Sequence, residues 1–178
     1  SQNPLHKMFV LHQQGTSLDI LSELPNESQP QSIGKPGEDV FAVRYVADKG
    51  YVVTFERIDP LYVIDLANPE APFIAGELEI PGFSSYLQPF GDDLLLGVGQ
   101  EINLPDIPQN GAFITTVVPT SEMKISLFDV GDPQNPIELA TIKRENSYTP
   151  VEYDYRALSL LTQNSVTTFG LPMETWYS

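Results

Sequence analysis

Cysteine is absent from the 178-residue sequence, which excludes disulfides, thiolate metal sites and a cysteine nucleophile. The compartment stays open on that ground, because secreted proteins can lack disulfides. No apolar run approaches the roughly 18 residues of a membrane span. Histidine is limited to His6 and His12, without metal-ligand spacing, and there is no Gly-x-Ser-x-Gly elbow to support a serine triad. Basic residues are scarce: 9 Lys and Arg face 24 Asp and Glu, a net charge of −15. Such a surface repels phosphate backbones and anionic membranes, so nucleic acid binding and membrane insertion are not expected. The acidic excess serves solubility. Helical periodicity is nearly missing, and 16 prolines with 12 glycines would break most helices of useful length. The chain opens at Ser1 without a signal peptide, which reads as a processed or excised piece of a longer protein.

What is present is a succession of short apolar and β-branched runs separated by tight turns. Phe41–Val46, the turn Asp48-Lys49-Gly50 and Tyr51–Phe55 form a hairpin signal. Leu61–Leu66 and Phe73–Ile80 complete a four-strand unit. Between the last two lies a turn formula: Asp65, Asn68-Pro69 and Pro72. It recurs with the same internal spacing as Asp129, Asp132-Pro133 and Pro136. The unit restarts at Ser85-Tyr86-Leu87, passes through Leu94–Val98, and resumes at Lys124–Val130 and Ile137–Ile142. A repeat of about 42 residues holding four strands is the pattern of a β-propeller blade. The third strands, LYVIDL and ISLFDV, are mostly apolar on both faces, as strands stacked between two sheets must be. A β-sandwich is the alternative all-β class, but it does not require the repeated turn formula.

These limits predict one propeller domain over residues 8–170. It comprises a half blade at 8–24, a blade at 41–80, a blade at 83–142 carrying an insert at 102–121, and a half blade at 151–169. The N-terminal half supplies strands three and four, and the C-terminal half strands one and two, with residues 151–161 as a strand. The sum is about three blade equivalents, whereas a propeller ordinarily closes with four or more. Either further blades lie in a longer parent chain, or two chains pool their halves in a six-bladed dimer.

The string from Val43 to Phe90, and within it YVVTFERIDPLYVID followed by IPGFSSYL, resembles a prokaryotic family of secreted proteins with a C-terminal β-propeller domain distantly related to WD repeats. ISLFDVGDPQNP continues the likeness, which covers most of residues 8–170. The resemblance implies the propeller fold and an extracytoplasmic location, and it implies no reaction. Members of that family are several times longer than this chain, and residues 102–121 look like a variable insert.

Candidate residues each carry two readings. Asp65 and Asp129 are suited to accept hydrogen bonds from turn N–H groups, or to join a ring of metal ligands. His6 falls in the loose terminus, and neither it nor His12 has catalytic context. Glu56-Arg57-Ile58-Asp59-Pro60 is a charged loop for a ligand or for solvent. Gly97-Val98-Gly99 is carried by a strand with no helix following, so it is no phosphate loop. Glu77 and Glu79 alternate on an outer strand, where carboxylates are expected and which does not provide the burial an acid/base pair needs. Phe83, Tyr86, Phe90, Tyr148, Tyr153 and Tyr155 could line a sugar or peptide site or pack between blades. The insert at 102–121 projects from a propeller face, where insertions often form the binding surface. No cofactor, metal or catalytic residue is assigned. The sequence thus points to a non-enzymatic binding or scaffold module presenting loops to a protein, peptide or glycan. The competing reading is a hydrolase-type enzyme with an acidic or metal site in the channel.

Overall fold

The computed structural model describes residues 5–55, 59–103 and 120–176, and no α-helix occurs among them. Two four-stranded antiparallel sheets occupy the middle of the chain. The first has the order β3 (Asp39–Val46), β4 (Lys49–Phe55), β5 (Asp59–Asp65), β6 (Phe73–Ile80). The second repeats it with β7 (Phe83–Phe90), β8 (Leu94–Asn103), β9 (Thr120–Asp129) and β10 (Ile137–Glu145). A hairpin of β1 (Met8–Gln14) and β2 (Ser17–Leu24) precedes them. After them come β11 (Ser147–Tyr148), a hairpin of β12 (Ser159–Gln163) and β13 (Val166–Gly170), and β14 (Glu174–Thr175), which pairs with β11. This is a propeller fragment of two blades flanked by two half blades.

Period-two alternation sorts the side chains into three apolar layers. Ala42, Tyr51, Val53, Leu61 and Val63 of the first blade meet Leu87, Leu95, Phe128 and Val130 of the second. The intervening residues Val52, Tyr62 and Ile64 turn to the other side and pack on Met8, Leu24 and Ile33. Leu96, Val98 and Val151 form the third layer, with Phe169 and Leu171 beyond. Leu61, Tyr62, Val63 and Ile64 are at most 1% exposed, so β5 is covered on both faces. Full burial of such side chains is worth about 1.5–3 kcal/mol each.

The blades have two unlike ends. At one end lie the links between strands three and four, where Asp65 pairs with Phe73 and Asp129 with Ile137. We call this the turn face. At the other end, the linker face, Ile80 runs through Pro81 and Gly82 into β7, and Glu145 runs toward the C-terminal hairpin.

The outer strands share an irregularity that sequence inspection does not show. In β6 the pairs are Ile74 with Ile64 and then Gly76 with Val63, so Ala75 is an extra, bulged residue. In β10 Glu138 pairs with Phe128 and Ala140 with Leu127, which bulges Leu139. In β2 Ile20 pairs with Leu11 and Ser22 with Val10, which bulges Leu21. Each bulge is followed by a small residue: Ser22, Gly76 or Ala140. Two of the three receive the proline turn of the following blade. The Ser22 hydroxyl donates to the Pro69 carbonyl at 2.6 Å. A Cβ on Gly76 would lie 2.3 Å from the Pro133 carbonyl oxygen, so only glycine fits there without displacement. Pro69 and Pro133 hold the same place in the turn formula. The formula therefore builds the seam between successive units.

Three boundaries differ from the sequence expectation. Residues 151–161 are not one strand: two 3-10 turns, Pro150–Glu152 and Tyr155–Ala157, precede β12 at Ser159. Thr149 and Asp154 cap those turns through their side chains, a local arrangement that competes with extended pairing. The flanks of the insert are paired, Ile102 with Ser121 and Asn103 with Thr120, so the strands claim both ends of the 102–121 stretch. Finally, His6 is not loose: it bridges to Ile33, and its Nε2 lies 2.6 Å from the Glu38 carbonyl oxygen.

Candidate functional site

The proposed acidic positions divide cleanly. Asp65 Oδ1 accepts from Ala67 N at 2.9 Å, and Asp129 Oδ1 accepts from Gly131 N at 2.9 Å. Asn68 and Asp132 repeat the device one step on, accepting from Glu70 N and Gln134 N. All four side chains are tied to their own turns. Glu77 and Glu79 are exposed on β6, and Glu79 pairs with Lys35. His12 is exposed on β1 opposite Asp19. Gly97 and Gly99 lie in β8 against the bulged start of β7, where a Cβ on Gly99 would stand 1.9 Å from the Phe83 carbonyl oxygen. Residues 56–58, the side chain of Asp59 and the interior of the insert, 104–119, lie outside the described residues. Among the described residues no three or more His, Asp or Glu side chains are grouped as for a metal ion.

The six aromatics separate into packing and open sets. Phe83 packs on Phe41 and Phe55, with ring centroids 4.8 and 5.1 Å away, and joins the two blades. Phe90 meets Phe169 edge-on at 4.9 Å and seats the C-terminal hairpin. Tyr86, Tyr153 and Tyr155, by contrast, line a cavity of about 220 Å³ together with Arg44, Ser85, Val151 and Glu152. Tyr153 is 76% exposed and Tyr155 64% exposed. Tyr148 extends the surface: its ring lies 6.1 Å from Tyr153 and stacks at 5.2 Å on Trp176, itself exposed.

The link between the second blade and the last hairpin builds this site. Val151, buried in the third apolar layer, anchors the segment. Thr149, fully buried, donates to the Pro172 carbonyl at 2.7 Å and accepts from Val151 N. Glu152 closes the capping box from the opposite side, accepting from Gln100 Nε2 at 3.0 Å and from Thr149 N at 3.5 Å. Burial pushes the Glu152 carboxyl above its ordinary range, against the pull of those two hydrogen bonds. Asp154 accepts from both the backbone N and Nε of Arg156, which hold its carboxyl below the usual range. The Arg156 guanidinium in turn lies 5.8 Å over the Tyr155 ring. The Tyr148–Trp176 stack is placed by the pairing of β11 with β14 and by Trp176 N donating to the Asn146 carbonyl.

Beside the cavity, the linker end of the seam between blades is fixed by a buried charge cluster. Lys124, with only 5% of its side chain exposed, lies 3.3 Å from Glu101 and 3.4 Å from Glu138 and donates to the Pro81 carbonyl at 2.7 Å. Lys143 takes the second oxygen of Glu101 at 2.7 Å. These four side chains pair with one another and hold the root of β8 and β9. Arg44 of β3 and the exposed Tyr153 and Tyr155 line the neighbouring cavity.

Sequence reasoning singled out the tyrosines but not Arg44, Glu152 or Trp176. The Thr149-Pro150-x-Glu152 capping signature was the available signal that 151–157 would turn instead of extending.

The whole chain, residues 1–178, matches the family model described as a β-propeller domain. An uncharacterized protein of Methanocaldococcus jannaschii is 40% identical over 121 residues, covering 68% of this chain and 17% of the relative. An uncharacterized protein of Archaeoglobus fulgidus is 40% identical over 122 residues, covering 68% of this chain and 16% of the relative. The chain thus spans about a sixth of the length of these curated relatives. No solved structure matches it. The repeated blade, the turn formula and the family match agree: this chain belongs to the β-propeller domain family.

Proposed function

We propose that the chain is a non-enzymatic binding module whose recognition surface is the aromatic platform on the linker face, and that its ligand is a protein or peptide segment. The observation that carries this reading is the combination of exposed Tyr153 and Tyr155 with Arg44 around one cavity, continued by stacked Tyr148 and Trp176. Tyr, Trp and Arg dominate the energetics of protein interfaces: Tyr and Trp bring large contact area with only two side-chain torsions to freeze, and Arg brings a planar fork of donors. The Glu152 carboxylate at the cavity wall supplies an acceptor for a peptide N–H or a basic side chain. The insert between β8 and β9 emerges on the same face. An extracytoplasmic setting fits the family resemblance read from the sequence.

Selection from a displayed random-peptide library tests the proposal, with a glycan array run beside it. Peptides that bind the wild-type chain and lose at least tenfold in affinity to the Tyr153→Ala/Tyr155→Ala double variant would support it. Binding that survives the double variant, or selection of glycans alone, would reject the protein-ligand reading.

A further inference from the structure

The cavity on the linker face offers more free donors than free acceptors. Its walls come from β3 and β7 of the two complete blades and from the link that follows them. Among the described residues, the Arg44 guanidinium and the hydroxyls of Ser85, Tyr153 and Tyr155 have no hydrogen-bond or ion-pair partner. The acidic wall, by contrast, is engaged. Glu152 already accepts from Gln100 Nε2 at 3.0 Å and from Thr149 N at 3.5 Å. Asp154, two residues on, is paired with Arg156. Elsewhere Lys7, Lys35, Lys124 and Lys143 each face a carboxylate. In a chain with 24 Asp and Glu against 9 Lys and Arg, the cavity thus holds a guanidinium for which the surrounding surface supplies no counter-ion.

We propose that the segment bound at this cavity is acidic and seats one carboxylate on the Arg44 guanidinium. The inference rests on the peptide-binding reading above and names the charge that the peptide brings. An Asp or Glu side chain and a C-terminal carboxylate present the same chemistry to Arg44.

Size, charge and geometry select this occupant. At about 220 Å³ the cavity is smaller than the roughly 300–1,000 Å³ of pockets that enclose a whole small molecule, so it takes one side chain or terminus of a larger partner. The guanidinium fork matches the two oxygens of a carboxylate. A phosphate dianion would bring twice the charge to a single cation, against a chain of net charge −15. A basic side chain fits worse: Arg44 is exposed and repels it, while Glu152 is half-buried and twice hydrogen-bonded. The Glu152 carboxylate keeps lone pairs for a backbone N–H of the segment. Residues flanking the seated carboxylate lie on the aromatic surface that runs from Tyr153 to Tyr148, 6.1 Å away, and on to Trp176.

A random-peptide library attached to beads through its N-termini, so that every C-terminal carboxylate is free, is screened with the wild-type chain. Binders are resynthesised with each Asp or Glu changed to its amide, or with the C-terminus amidated, and Kd is measured by fluorescence anisotropy. One of these neutralisations is expected to weaken binding about ten- to hundredfold, the range for a hydrogen bond to a charged group. It identifies which carboxylate Arg44 holds. The same neutralisation is expected to cost nothing against Arg44→Gln, which replaces an exposed side chain and keeps the wild-type circular dichroism. Peptides that require Tyr153 and Tyr155 but no carboxylate, or that lose nothing to Arg44→Gln, would overturn the acidic ligand and leave the peptide-binding reading standing. A library that yields no binder would overturn both.

Discussion

The two faces of the propeller fragment are built from different chemistry. On the turn face, short side chains satisfy the backbone of their own turns, and the carbonyls of Pro69 and Pro133 seat on the preceding outer strand. On the linker face, long side chains reach across strands and links: Lys124 to Glu101, Glu138 and the Pro81 carbonyl, and Gln100 to Glu152, beside the cavity that Arg44 and three tyrosines line. Local chemistry repeats because each turn needs only its own few residues. Long-range chemistry differs from blade to blade, which is why the open site lies on that face.

The largest expected effect comes from breaking the linker-face cluster. Lys124→Met leaves Glu138 without its cation and Glu101 with Lys143 alone. Removing one member of a buried ion cluster costs about 3–5 kcal/mol, to be read as a fall in the urea midpoint. A result near zero would mean that the cluster is hydrated. Next is the turn-face seam. Gly76→Val drives a side chain into the Pro133 carbonyl, an overpacking cost of about 1–3 kcal/mol. Ala140→Val, in the open equivalent position, is expected to leave the single chain's stability unchanged. Equal losses at the two positions would erase the distinction between a filled seam and an open one.

The smallest effect is one of sign. Glu152 has a folded-state pKa raised chiefly by burial, so it lowers stability above that pKa and the deficit disappears as pH falls through it. Asp132 has a folded-state pKa lowered by its bonds to Asn135 and Gln134, so its contribution holds above the ordinary carboxylate range and is lost as pH falls through the lowered value. Glu152→Gln is therefore expected to stabilise the chain at neutral pH, and Asp132→Asn to destabilise it slightly. Unfolding midpoints of both variants between acid and neutral pH check the opposed slopes.

Much of the fold was legible because blade strands declare themselves locally. The Asp, Asn/Asp-Pro, Pro spacing marks the turns directly, and LYVIDL shows a strand covered on both sides. The bulges were not legible. Ser22, Gly76 and Ala140 share no side-chain chemistry, and only their register beside a proline turn makes them equivalent. The candidate site was half legible. Tyr153 and Tyr155 stood out as aromatics, but nothing in one dimension places Arg44 beside them or Trp176 on Tyr148. The strand expected over 151–161 failed because apolar spacing outweighed the Thr149 and Asp154 caps in that reading.

The proline seam also has a direction in time. In each pair of neighbours the outer strand with its small residue is synthesised before the turn that covers it: Ser22 before Pro69, and Gly76 before Pro133. Synthesis runs from the N-terminus, so each outer strand is delivered ahead of the turn that seals it. The growing polypeptide is therefore left with one unsealed outer strand at a time, always at its newest end.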